Sequence, residues 1–263
     1  MPQITSYEPG TPSWVDLGTT DTEAARSFYR RLFGWDYEIG GPGTMGYALC
    51  RLRGLTVAGV WELMPDMLAA GVPPNWMTYF STDALDGSIK RITDSAGSVL
   101  SGPMDIMEQG RMAIASDPTG AAFGLWEPAA HIGAELVNEP GAVIWNELLS
   151  RDEATAVPFY TDVFGFTTES VDLGGVTRYV ILKIHDRPVG GLTTMPPQVP
   201  EGVPSYWATC FAVTDADVSV RLATDAGGSV IYGPVDSPQG RVAVLADPQG
   251  AAFSVLGVGE PAL

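Results

Sequence analysis

The chain has 263 residues, of which 45% are hydrophobic, enough for one large or two medium globular domains. No stretch approaches the roughly 20 uninterrupted apolar residues of a membrane span, and the polar segment Met1 to Gly10 does not read as a secretory signal. Acidic residues outnumber basic ones 31 to 14, giving a formal net charge of −17, a field that repels phosphate backbones and argues against nucleic acid as a partner. Two cysteines, Cys50 and Cys210, sit in apolar runs without metal or redox spacing and read as reduced thiols, which points to a cytoplasmic protein.

In chain order, Trp14–Leu17 reads as a short strand. A helix starts at Thr20-Asp21-Thr22-Glu23, where Thr20 or Asp21 can satisfy free N–H groups and Thr20 with Glu23 has capping-box spacing. Ala24, Phe28, Leu32 and Phe33 keep helical period, and Gly34 is placed for a left-handed cap. Strand patterns follow at Tyr47–Leu52 and Thr56–Leu63, then a Pro-, Ala- and Gly-rich linker over Pro65–Pro74. The order then recurs: strand Trp76–Thr82, helix Leu85–Ala96, and strands near Val99–Ser101, Arg111–Ser116 and Ala121–Trp126. Asp117-Pro118-Thr119-Gly120 before the last strand is a turn signal.

From residue 131 onward the sequence is written again. Asp21 to Tyr29 and Leu32-Phe33-Gly34 recur at an offset of 131 as Asp152 to Tyr160 and Val163-Phe164-Gly165, with Trp14 on Trp145, Trp76 on Trp207 and Phe80 on Phe211. After a one-residue slip, Gln109-Gly110-Arg111 falls on Gln239-Gly240-Arg241, and the Asp117 turn falls on Asp247-Pro248-Gln249-Gly250. The chain is therefore expected to be α+β, with four βαβββ units in two tandem domains, residues 1–130 and 131–263.

Paired βαβββ units, a helix ending in Phe-Tyr-x-x-Leu/Val-Phe-Gly and an Asp-Pro-x-Gly hairpin together resemble the vicinal oxygen chelate superfamily of glyoxalases, bleomycin-resistance proteins and extradiol dioxygenases. The resemblance covers almost the whole chain and is nearest to two-domain actinobacterial members labelled glyoxalase-like proteins or hydroxylases. It implies a cleft in each paired domain and, in the metal-using members, a divalent ion held by His and Glu on first and last strands. At the corresponding points this sequence carries Trp14, Met77 and Gly124 in the first half and Trp145, Ala208 and Ser254 in the second. None is a usual ligand, so no metal and no cofactor is expected. The two histidines, His131 and His185, fall in the junction between halves and in a turn, and Glu62 reads as a solvated strand end.

Strand alternation puts Trp14 and Asp16, Met77 and Tyr79, and Gly124 and Trp126 on the cleft side. In the second half it does the same for Trp145 and Glu147, Ala208 and Cys210, and Ser254 and Leu256. Trp76 and Trp207 have the parity of the helix side, and Arg111 and Arg241 read as partners of Asp residues. Each cleft is then an apolar, aromatic trough with one carboxylate, suited to a flat organic ligand. Two readings of function follow. One is a metal-free protein that binds an aromatic natural product or antibiotic, for sequestration or biosynthesis, with Trp14, Met77, Tyr79, Gly124, Trp126, Trp145, Ala208, Cys210, Ser254 and Leu256 as the binding surface. The other is a metal-independent enzyme or oxygenase accessory in which Asp16 or Glu147 is a general base. A monomer or homodimer is expected. A third reading, a scaffold for protein interaction, predicts clefts filled by side chains.

Overall fold

In the computed structural model, which describes residues 3–172 and 178–259, each half of the sequence folds into one eight-stranded mixed sheet. The first contains β1 (Pro12–Thr19), α1 (Thr22–Phe33), β2 (Asp36–Ile39), β3 (Ala48–Leu52), β4 (Leu55–Glu62), α2 (Pro65–Ala69), β5 (Asn75–Ser81), α3 (Leu85–Asp94), β6 (Ser98–Ile106), β7 (Gly110–Ser116) and β8 (Ala122–Pro128). The second contains β9 (Val143–Ser150), α4 (Glu153–Phe164), β10 (Thr167–Asp172), β11 (Arg178–Ile184), β12 (Arg187–Thr194), β13 (Tyr206–Val213), α5 (Ala216–Asp225), β14 (Ser229–Ser237), β15 (Gly240–Ala246) and β16 (Ala252–Gly257). Strand orders are β2-β3-β4-β1-β5-β8-β7-β6 and β10-β11-β12-β9-β13-β16-β15-β14.

The order shows which units pair. Neighbouring units share a sheet through their first strands, β1 antiparallel to β5 and β9 antiparallel to β13, so each half builds its own cleft. Local signals act as expected at α1: the Asp21 carboxylate accepts from the Ala24 N–H, and Gly34 closes the helix at φ 74°. The cap is Asp21 and not Thr20, which is exposed. The stretch read as a linker contains the short helix α2, started by Pro65 at a position where its missing N–H costs nothing. His185 and Asp186 make the β11–β12 turn at φ 47° and 62°.

The two sheets pack back to back. Val15, Leu17 and Phe28 of the first unit, joined by Trp76 of the second, share one core with Phe211, Ala223, Leu245 and Phe253 of the fourth. Phe80, Leu85, Ile92 and Phe123 of the second share another with Phe159, Tyr160 and Leu182 of the third, joined by Trp207 of the fourth. Both repeated motifs take part. Tyr29, from the Phe-Tyr helix end, donates to the Asp247 carboxylate (3.1 Å) in the Asp-Pro-Gln-Gly turn of the other half, and receives the Trp76 indole N–H (3.0 Å). In the other copy Tyr160 receives the Trp207 indole N–H (2.8 Å) and lies close enough to Asp117 for that carboxylate to act on its hydroxyl. At the centre of the seam Thr78 donates to Asn146 at 2.9 Å. The Phe-Tyr and Asp-Pro-x-Gly motifs are thus the two sides of one clasp between halves.

Candidate functional site: two clefts on one scaffold

Each sheet turns its other face into a cleft, and strand parity delivers the expected side chains to it. Trp14, Tyr79 and Trp126 cluster on this face with Ala134, and Met77, Met112 and Ile114 pack against them. Cross-strand register sets Asp16 opposite Met77 and Gly59, and Trp14 opposite Tyr79, which in turn lies beside Gly124. The second half repeats this grid as Glu147 with Ala208 and Gly191, then Trp145 with Cys210, then Ser254. Trp76 and Trp207 lie on the opposite face, in the core, 5% and 4% exposed.

The first cleft is filled. Trp14, Tyr79 and Trp126 are only 5–6% exposed and Asp16 4%. The Tyr79 ring lies over Gly124, where a Cβ would come within 2.0 Å of it, and the Tyr47 hydroxyl covers Gly59 at the same spacing. The segment between the sheets completes the seal. His131 packs edge-on against Trp14, with ring centroids 4.5 Å apart, and against Trp126 at 5.6 Å. The His131 carbonyl accepts from the Trp126 indole (2.7 Å), and Ala134 N–H donates to the Ser13 carbonyl (2.8 Å). The amino-terminal segment pins this connector through Tyr7, which donates to the Ala134 carbonyl at 2.6 Å. His131, read from sequence as a surface or linker residue, is thus a half-buried wedge, and burial pushes its imidazole down to about 4.

Within this plug Asp16 is fully engaged. Its Oδ2 accepts from the hydroxyls of Tyr47 (3.1 Å) and Tyr79 (3.2 Å), and its Oδ1 from the indole of Trp61 (3.3 Å). Trp14 in turn donates to Tyr47 (2.9 Å). Desolvation outweighs these donors and raises the Asp16 carboxyl to about 6. Tyr47 and Trp61 belong to the site but were not among the residues singled out from sequence. Tyr47 opens β3 beyond the regular strand, and Trp61 follows the run of β4, where it reads as one more apolar strand residue.

The second cleft keeps the grid and loses the bulk. Trp145, Glu147, Ala208, Cys210, Ser254 and Leu256 are all partly solvent-exposed. Cys210 stands for Tyr79, Ser254 for Gly124, Ala208 for Met77, Leu256 for Trp126 and Thr193 for Trp61. The indole of Trp145 donates to the Tyr179 hydroxyl (2.7 Å), which hydrogen-bonds Glu147. Burial raises the Glu147 carboxyl against that one donor, and raises the Cys210 thiol as well. A Cβ on Gly191 would meet the Tyr179 hydroxyl at 1.9 Å, so the Tyr–Gly contact of the first half is retained.

The remaining sequence candidates lie elsewhere. Arg111 bridges Asp86, Asp105 and Glu127, each at 3.2 Å, and Arg241 bridges Asp217 and Asp236. Glu62 is exposed at the end of β4. His185 is exposed beside Glu8 in a hollow on the seam, outside both clefts. The metal points of the resembling family hold an indole, a thioether, glycine, methyl or hydroxyl side chains, with one carboxylate per cleft. Among the described residues no three of His, Cys, Asp and Glu come together, so this donor set does not fit a divalent ion. No helix among the described residues is long and apolar enough to cross a membrane.

The sequence profile of the Glyoxalase/Bleomycin resistance protein/Dioxygenase superfamily matches residues 11–125 and again 130–255, and the chain belongs to that superfamily. It is 46% identical over 261 residues, 97% of this chain and 98% of the relative, to a protein named "Putative glyoxylase CFP32" in Mycobacterium tuberculosis. It is 40% identical over 268 residues, 98% and 96% of the two chains, to "Anthracycline biosynthesis protein DnrV" of Streptomyces peucetius. Among solved structures, 2,2',3-trihydroxybiphenyl 1,2-dioxygenase from Sphingomonas wittichii superposes with a TM-score of 0.64 at 14% identity, covering 95% of this chain and 90% of that one. The Mn(II)-bound glyoxalase from Novosphingobium aromaticivorans gives 0.64 at 17%, covering 94% and 82%. At these identities the structural likeness speaks for the fold alone.

Proposed function

We propose that this protein binds a small aromatic organic molecule, without a metal, in the cleft of its second half. The observation that carries the reading is the difference between two clefts built on one grid. Where the first is packed with Tyr79, Trp126, Trp61 and His131, the second has Cys210, Leu256 and Thr193, and the lining that remains includes the Trp145 indole, the Tyr179 and Tyr206 phenols and the Glu147 carboxylate. An apolar trough with few polar anchors is the ordinary form of a site for a flat organic ligand. The family's range of small organic ligands and the Streptomyces relative's place in anthracycline biosynthesis favour a polycyclic aromatic, held for sequestration or handed to a biosynthetic step. In this reading the first cleft and Asp16 are structural.

Titration of polycyclic aromatic compounds against tryptophan fluorescence tests the proposal. Quenching is expected in the wild type and in Trp14→Phe, and is lost in Leu256→Trp, which installs the plug of the first cleft. Absence of quenching across a broad panel overturns the proposal. A second reading, favoured by the raised carboxyl of Glu147 in a partly open cleft, is a metal-independent enzyme with Glu147 as general base. Under that reading Glu147→Gln abolishes turnover and spares binding; unchanged turnover in the variant removes it.

A further inference from the structure

The two carboxylates occupy the same place in their sheets and differ in how many donors they receive. Asp16 accepts from Tyr47, Tyr79 and Trp61. Glu147 keeps only the counterpart of Tyr47, the hydroxyl of Tyr179, among the described residues. The position of Tyr79 holds Cys210, whose Sγ lies 4.0 Å from the Phe211 carbonyl. The position of Trp61 holds Thr193, whose hydroxyl lies 3.4 Å from the Arg178 carbonyl. Among the described residues no lysine, arginine or histidine acts on Glu147; burial and the Tyr179 hydroxyl are the influences upon it.

An ionised carboxylate offers about four acceptor directions, and leaving them unused in a poorly hydrated place costs free energy. The substitutions that removed the donors also removed the bulk, so the missing N–H and O–H groups and the open space coincide. Resting on the reading that this cleft binds an aromatic molecule, we infer that its ligand carries an N–H or O–H group that donates to Glu147, in the place the Tyr79 hydroxyl holds on Asp16. The ligand then completes a carboxylate that the first half completes with its own side chains. An acceptor-only ring system of the same shape lacks this anchor.

Matched pairs of probes, neutral at pH 7, separate the possibilities: carbazole against dibenzofuran for an N–H donor, and 2-naphthol against naphthalene for a hydroxyl. In the wild type at least one donor-bearing probe is expected to bind roughly tenfold or more tighter than its partner, the size of a hydrogen bond to a charged group. Which pair shows the preference identifies the donor. Glu147→Met is expected to erase the preference while keeping the affinity for the bare ring. Equal affinity within both pairs in the wild type, or a preference that survives Glu147→Met, overturns the inference while leaving the binding reading intact. Failure of all four probes to bind overturns both. The double variant Cys210→Tyr with Ser254→Gly gives a readout that needs no ligand. It rebuilds the first cleft's ring-over-glycine packing, gives Glu147 a second donor, and is expected to melt above the wild type and exclude every probe. A melting point no higher than the wild type's, or probe binding like the wild type's, counts against the assignment.

Discussion

The two clefts have the same strands, the same register and the same carboxylate position, yet the aromatic lining of one is buried and the lining of the other is partly exposed. The difference lies in paired exchanges across neighbouring strands. Tyr79 over Gly124 becomes Cys210 beside Ser254, and Trp61, which lies over Gly18, becomes Thr193 with Leu149 on the counterpart strand. Tyr79 and Trp61 each lie over a glycine, and in the second half ring and glycine change together while the strand register is kept. Side-chain exchange on neighbouring strands and the His131 connector together distinguish the filled cleft from the other.

The sharpest way to break the comparison is to move one small residue between halves. Gly124→Ser, which copies the second cleft into the first, forces the Tyr79 ring out and is expected to cost at least about 3 kcal/mol in chemical denaturation. Ser254→Gly, the reverse exchange, is expected to cost about 1 kcal/mol or less, since no ring lies over it. A large loss in the second variant would show that the second cleft is packed as tightly as the first.

Next in size are two opposing pH effects inside the first cleft. Asp16 is raised from 3.8 to about 6, so it contributes stability below about pH 4 that is lost as pH rises through 6. His131 is lowered from 6.5 to about 4, so it contributes stability above pH 6.5 that is lost as pH falls through 4. Each amounts to roughly 3 kcal/mol from about two pH units, and over the shared window they offset. Asp16→Asn should therefore lose stability on acidification from pH 7 to 4, and His131→Phe should gain it, with the wild type flatter than either in denaturant melts. Parallel slopes in the two variants would contradict the wedge. The smallest expected effect is that of Trp145→Phe, which frees the Tyr179 hydroxyl and should lower stability by about 1 kcal/mol, near 2–4 °C in melting temperature.

Much of the fold was legible because its signals are local or repeated. The Asp21 cap, the Gly34 stop, the Asp-Pro-x-Gly turns and the 131-residue offset each state their structure directly, and parity placed Asp16, Glu147 and the paired tryptophans on their faces. The pairing of units was not legible, since β1 against β5 and a swapped arrangement satisfy the same alternation. The short exposed strand β2 and helix α2 were missed because neither carries a clear apolar period. The closure of one cleft was hidden for a different reason. It depends on a connector segment and on Tyr47 and Trp61, residues whose meaning comes from what lies across the sheet.

Each central strand has a back shared with the other half and a front that belongs to its own half. Tyr29 and Tyr160, Trp76 and Trp207, Phe80 and Phe211, and Asp117 and Asp247 all lie at the back, and all are the same residue in both copies. On the front Trp14 and Trp145 match, whereas Met77 and Ala208, Tyr79 and Cys210, and Trp126 and Leu256 do not. A back-face change must suit two neighbours from different halves at once, whereas a front-face change answers only to its own cleft. The shared wall therefore ties the two halves to one another, while each front can differ without disturbing its neighbour.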